Sequence, residues 1–208
     1  MRSDVVIVAR PGRFPHLECA GAIAVRRTGP ETVHLVSAAA TPLGGDALRM
    51  RVVVEEGARL AVRTVAAAVV LPGAATAESH ACWTLEVAGT LDMDPEPTIV
   101  AGQARHVTHT ALTLTTAASL RLRERVQIGR SGERHGYWSG SLRADLDSTA
   151  LLRHRVELGN GAVADDEIAA PRAYEAEFRY PANEATTAGV TLALAGGGCL
   201  TTWQGDRL

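Results

Sequence analysis

The sequence predicts a mostly β protein whose strands build a sandwich, a barrel or a coil. Three observations carry that prediction: short apolar runs alternating with polar residues, turn-forming glycines and prolines about every ten residues, and no long stretch with helical spacing. Successive side chains of a strand leave opposite faces, so period-2 alternation marks a strand with one buried face. In LRMRV, Leu48, Met50 and Val52 share one face while Arg49 and Arg51 share the other.

The elements follow in order. AIAVRR (22–27) and TVHLVSA (32–38) flank the turn TGPE, and LGGD leads into LRMRVVVEE (48–56). EEGA then turns the chain into RLAVRTVAA (59–67), and LPGA precedes ACWTLEVAG (81–89). VAGT opens an acidic hairpin, LDMDPEPTIV (91–100), whose two prolines hold the backbone extended. HVTHTALTLT (106–115) and SLRLRERVQIG (119–129) repeat the alternation, GRSG and ELGNGA mark further turns, and VTLALA (190–195) is again strand-like. Two short helices are expected. THTAL (108–112), after Pro97, closes one turn. The segment 162–178 starts acidic, which suits a helix N-terminus, and is interrupted by Pro171.

The 208 residues read as one domain spanning 1–208, long enough to bury a core without staples. The net charge of −2 supplies no long-range field for polyanions, which argues against a nucleic-acid binder. Every one of the 21 basic residues is arginine, so chemistry that needs a Schiff-base or P-loop lysine is excluded. Cys19, Cys82 and Cys199 are odd in number and lack CxxC spacing, so they read as reduced, buried small hydrophobes. The N-terminal MRSDVVIVAR has too short an apolar run for a signal peptide or membrane span, which gives a cytoplasmic expectation with no membrane partner.

Several constellations can carry chemistry. His80 and Cys82 leave the same face of a strand, a start toward a soft-metal site, although ordinary packing of Cys82 explains the spacing equally well. His106 and His109 face opposite ways on a strand and converge only in a helical turn. Asp92, Asp94 and Glu96 form a period-2 carboxylate row suited to a solvated edge or a visiting cation. LGGDAL lacks a phosphate-loop pattern and reads as a turn, and no GxSxG elbow occurs. The stretch LRERVQIGRSGERHGYW (122–138) gathers four arginines and two glutamates, a composition suited to an interface because the guanidinium fork pairs with carboxylates.

Four features taken in order resemble the urease accessory protein UreD (UreH) family. They are the turn Gly44-Gly45-Asp46 followed by EEGARLAVRTVAAAVV, then LEVAGTLDMDPEPTIVAGQARH, then LTLTTAASLRLRERVQIGRSGERHGYW, and the order of the strands around them. RTVAAAV at 63–69 lacks the family's glutamine and lysine, and LDMD at 91–94 lacks the aromatic residue usual before the proline. The resemblance implies strands coiled into a helical two-sheet, β-helix-like arrangement with about two short helices. It implies a maturation scaffold, not an enzyme, that binds apourease and UreF, through UreF the GTPase UreG, and helps nickel reach urease, with a dimeric accessory complex as one assembly. No tightly bound cofactor is implied, only transient nickel. On this reading Asp46, Glu96 and Glu133 are candidates for the nickel path, and Gly45, Pro97, Gly129, Arg130 and Gly132 for partner-binding or structural turns. Two other readings stand beside it: a metal-dependent β-fold enzyme using His80, Cys82, His106 or His109, and a nucleic-acid-binding β module using the arginines.

Overall fold

The structure is a computed structural model and describes residues 1–163, 165, 170–182 and 188–208. The chain begins with β1 (Arg2–Ala9), β2 (His16–Ala20), β3 (Ile23–Arg27) and β4 (Thr32–Ser37). It winds on through β5 (Ala47–Val54), β6 (Arg59–Thr64), β7 (Ala68–Val70), β8 (Glu78–Val87), β9 (Thr90–Met93), β10 (Thr98–Val100), β11 (Arg105–Leu114) and β12 (Ser119–Ile128). It closes with β13 (Tyr137–Leu146), β14 (Thr149–Gly159), β15 (Ala173–Tyr180), β16 (Val190–Ala193) and β17 (Cys199–Gly205).

Two sheets face each other. The first has the order β14-β13-β11-β8-β5-β1-β2 and the second β16-β17-β15-β12-β9-β6-β4-β3, with β10 joined to β12 and to β7. The middle of each sheet is parallel: β1, β5, β8, β11 and β13 in the first, β4, β6, β9 and β12 in the second. Parallel neighbours need a crossover, and here the crossover is the opposite sheet. The chain goes up one sheet, turns a short corner, comes down the other, and returns by a longer loop. The expected helical two-sheet arrangement is thus present.

The corners are short because glycine permits them. A Cβ at Gly89 would lie 2.3 Å from the Ala58 carbonyl oxygen, so one corner stacks on the one below only with hydrogen at that position. Between the sheets the inward residues form ladders. Ile7, Val52, Leu85, Leu112 and Ala144 stand side by side across five strands, all buried. Leu60, Leu91 and Leu120 do the same opposite them. Each such large apolar side chain contributes about 1.5–3 kcal/mol by leaving water.

Three expectations are corrected. Among the described residues there is no helix. THTAL lies inside β11, where β8 and β13 take up its backbone groups on both sides, and 173–178 lies in β15, while residues 164 and 166–169 of the second expected helix fall outside the described residues. LDMDPEPTIV is not a hairpin, because β9 and β10 run in the same direction along β12. Only Cys199 is buried; Cys82 is exposed because the alternation of β8 turns it to solvent, and Cys19 because β2 is the edge strand of its sheet. All three thiols are free.

Candidate functional site: a cavity behind a gap in the sheet wall

Pro95 and Pro97 interrupt the second sheet. Proline has no N–H to give a ladder, so the strand facing β12 stops at Met93 and resumes at Thr98. β12 pairs with β9 through Ser119–Leu122 and with β10 through Val126–Ile128. Arg123, Glu124 and Arg125 therefore face the loop 94–97 across a gap. Arg125 bridges it: Nη2 donates to the Pro95 carbonyl oxygen at 2.7 Å and to Asp94 Oδ1 at 3.1 Å.

Behind the gap, between the sheets, lies a cavity of about 270 Å³. Met50, Trp83, His106, Thr108 and Glu124 are among the residues that line it, with Glu96 and Pro95 at the mouth. Glu124 occupies the inward phase of β12, where its neighbours Leu120, Leu122, Val126 and Ile128 are buried. Burial pushes its carboxyl up to about 7, against the lowering effect of the hydrogen bond that Thr108 Oγ1 donates at 3.1 Å. Across the cavity, burial and the nearby charge of His80 push the His106 imidazole down to about 4, and its Nδ1 is paired with Ser79 Oγ at 2.9 Å. Burial, and then the charge of Glu124, raise the Tyr174 phenol, whose hydroxyl meets His154 Nε2 at 2.9 Å. An ionisable carboxylate in a largely apolar pocket of this kind can hold a proton or a cation near neutral pH.

The outer face of the same strand explains the arginine cluster. Arg121 Nε donates to Glu177 Oε2 at 3.0 Å and its Nη1 to Asp92 and Asp94 at 3.2 and 3.1 Å. Arg123 Nη2 donates to Glu175 Oε1 at 2.6 Å, and Arg63 holds Asp92 from the other side. Asp92 and Asp94 are thus held by arginines of the neighbouring strands. Of the row expected to be a solvated edge, Asp92 and Asp94 are the acidic half of an ion-pair lattice, whereas Glu96 is exposed.

The GRSGE segment forms the return loop between β12 and β13. Gly129 has φ 82° and a Cβ there would meet the Glu133 carbonyl oxygen at 2.1 Å. Glu133 Oε2 accepts from Gly102 N at 2.8 Å and Arg130 N at 3.1 Å, and the Arg130 guanidinium completes the turn. That guanidinium, with the two backbone donors, holds the Glu133 carboxyl down at about 2. Pro97, Gly129, Arg130, Gly132 and Glu133 all line one surface cleft of about 640 Å³. Asp46 sits elsewhere, in the turn before β5. Its burial raises its pKa, but hydrogen bonds from the Met1 amine, Leu43 N and Thr41 Oγ1 outweigh this and lower it. Gly45 beside it has φ 91°. Glu96 is exposed at the cavity mouth, and its N–H donates to Thr64 Oγ1 at 2.8 Å.

The fold therefore does not bring Asp46, Glu96 and Glu133 together, and among the described residues no three His, Cys, Asp or Glu side chains are arranged to hold a metal ion. The four ligands of the metal-enzyme reading are split. His80, Cys82 and His109 are exposed on the outer face, where Cys82 lies beside His109, and His106 is buried on the inner face. Glu124 was not among the sequence candidates, although a signal was present: it is the one charged residue in the apolar phase of SLRLRERVQI.

A family model described as "UreD urease accessory protein" matches residues 10–201. The chain belongs to the UreD family. It is 41% identical over 176 residues to a urease accessory protein UreD of Frankia casuarinae, covering 76% of this chain and 55% of the relative. Identity to a UreD 1 of Saccharopolyspora erythraea is 39%, over 75% of this chain and 60% of the relative. For a UreD of Streptomyces coelicolor it is 37%, over 78% and 68%. The chain spans about half to two thirds of the length of these curated relatives. A UreD family is one of accessory proteins, not enzymes, which agrees with the expected lack of turnover. Among the described residues no helix is long and apolar enough to cross a membrane.

Proposed function

We propose that this chain is a maturation scaffold for urease that associates with apourease and with UreF, through UreF with the GTPase UreG, and passes nickel as transient cargo through the cavity between its sheets. The observation that supports this reading most is Glu124, a carboxylate kept inside a β core beside a gap in the wall. A core position normally excludes a charge, because desolvation disfavours the ionised form. A transit site needs oxygen donors that replace part of a cation's hydration yet release it, and isolated carboxylates do this better than a closed His/Cys cage. Glu96 at the mouth and Glu124 inside are the two contacts we assign to the path. Asp46 and Glu133, whose oxygens are engaged by backbone donors, keep the ends of the return loops in place. Pro97, Gly129, Arg130 and Gly132 form the cleft we assign to a protein partner, with the cytoplasm as the compartment and a dimeric accessory complex as one assembly.

The test is genetic and chemical together. The coding sequence is deleted in its own organism, urease is purified, and its activity and nickel content are measured after complementation with the wild-type or Glu124→Gln chain. Abundant, nickel-poor, inactive urease rescued only by the wild-type copy is the expected result. Full nickel after deletion refutes the maturation role, and full nickel with Glu124→Gln refutes the cavity route.

A further inference from the structure

Over the cavity, the wall is closed by a side chain where a ladder is missing. Arg125 Nη2 spans the gap to Asp94 and the Pro95 carbonyl, while its buried Nε has no hydrogen-bond partner. A buried donor left unmade weakens the closed arrangement relative to a fully paired strand. Asp94 does not depend on Arg125 alone, since Arg121 Nη1 lies 3.1 Å and Arg123 Nη1 3.7 Å from its Oδ2. Withdrawal of Arg125 thus leaves Asp94 compensated by two other guanidinium groups. Arg125 and Glu124 are consecutive residues of one strand and leave opposite faces. The closing cation sits on the outside and the carboxylate sits directly behind it.

We propose that Arg125 is a latch over a side port of the cavity, displaced when a hydrated divalent cation competes for Asp94 and the Pro95 carbonyl, so that the cation reaches Glu124. This rests on the reading of the cavity as a cargo route. The competition is physically sound because carboxylate and carbonyl oxygens are hard donors that suit a small divalent ion, whereas the guanidinium spreads one charge over a broad plane. A ligand shifts a two-state element only by its differential affinity, and here the open state alone offers the ion these oxygens.

Thr110 lines the cavity and provides a reporter. Thr110→Cys is made in a chain in which Cys19 and Cys82 are changed to serine, and the rate of modification of the new thiol by a cationic trimethylammonium methanethiosulfonate is measured. Arg125→Met and, independently, Asp94→Asn are expected to raise that rate about tenfold, equivalent to about 1.4 kcal/mol of lost closure. Nickel ions added to the wild-type latch, before the reagent, are expected to occupy the port and slow the reaction, and to do so less when Asp94→Asn is present. Each variant is checked by circular dichroism and cooperative thermal unfolding, so one that fails to fold leaves the other as the test. Equal rates with the wild-type latch and with a folded variant overturn the latch. The cargo reading is scored separately by the nickel content of urease matured with Glu124→Gln. A failed latch with nickel-poor urease there removes the port and keeps the route, whereas an opened latch with normal nickel keeps the port and removes the route.

Discussion

Glu124→Gln should stabilise the protein at neutral and alkaline pH while impairing its work. The carboxyl rises from an ordinary 4.5 to about 7 in the fold, and each pH unit of that difference carries about 1.4 kcal/mol. Between pH 4.5 and 7 the native state holds the proton more firmly than the unfolded chain does. Stability therefore falls as pH rises through that window, by about 3 kcal/mol in all, and levels off above it. Glutamine keeps an oxygen for the Thr108 hydroxyl and has no charge to desolvate. The stability difference between Glu124→Gln and wild type should be near zero at pH 4.5, grow to about 3 kcal/mol in favour of the variant by pH 8, and cancel all other titrating groups. Urea unfolding at half-unit pH steps, with the slope constant, measures it directly. A difference that does not change with pH, or a variant less stable than wild type at pH 8, would refute the reasoning. A variant that is more stable yet delivers less nickel would mark Glu124 as a residue retained for function at the expense of stability.

The remaining predictions concern other parts of the fold. His106, with its imidazole held at about 4, stays neutral at pH 5.5, and the stability it contributes is lost as pH falls from 6.5 toward 4; a carbon-bound proton titration by NMR with a midpoint near 6.5 would contradict this. Gly129→Ala, which places a methyl group 2.1 Å from the Glu133 carbonyl, should destabilise by about 2 kcal/mol or more. Gly132→Ala has the same sign of φ but open space around it, so it should cost only about 1 kcal/mol; equal losses in thermal unfolding would remove the packing argument. Leu112→Ala, at the centre of the buried ladder, should cost about 2–5 kcal/mol in urea unfolding, and a loss under about 1 kcal/mol would show that the ladder is not close-packed.

The sequence by itself determined the inward and outward faces of the alternating strands, such as β5 and β12. Period-2 alternation is a local consequence of extended backbone, so Leu120, Leu122, Val126 and Ile128 declared the buried face of β12 and placed Glu124 within it. Pro95 and Pro97 likewise fixed the gap in the wall, because the missing donors belong to the residues themselves. Local pattern does not say which strand lies alongside which. That is set by the lengths of corners and return loops, which place Val54 beside Val87 and Val87 beside Leu114. Only the tertiary structure, therefore, joined Arg121 and Arg123 to Asp92, Asp94 and Glu175, and tied Glu133 to Gly102. It also removed the helix expected at THTAL by offering its backbone groups strands on either side. A side chain's face is a property of its own strand, whereas its partners belong to residues some 30 positions away whose register is fixed only when the coil closes.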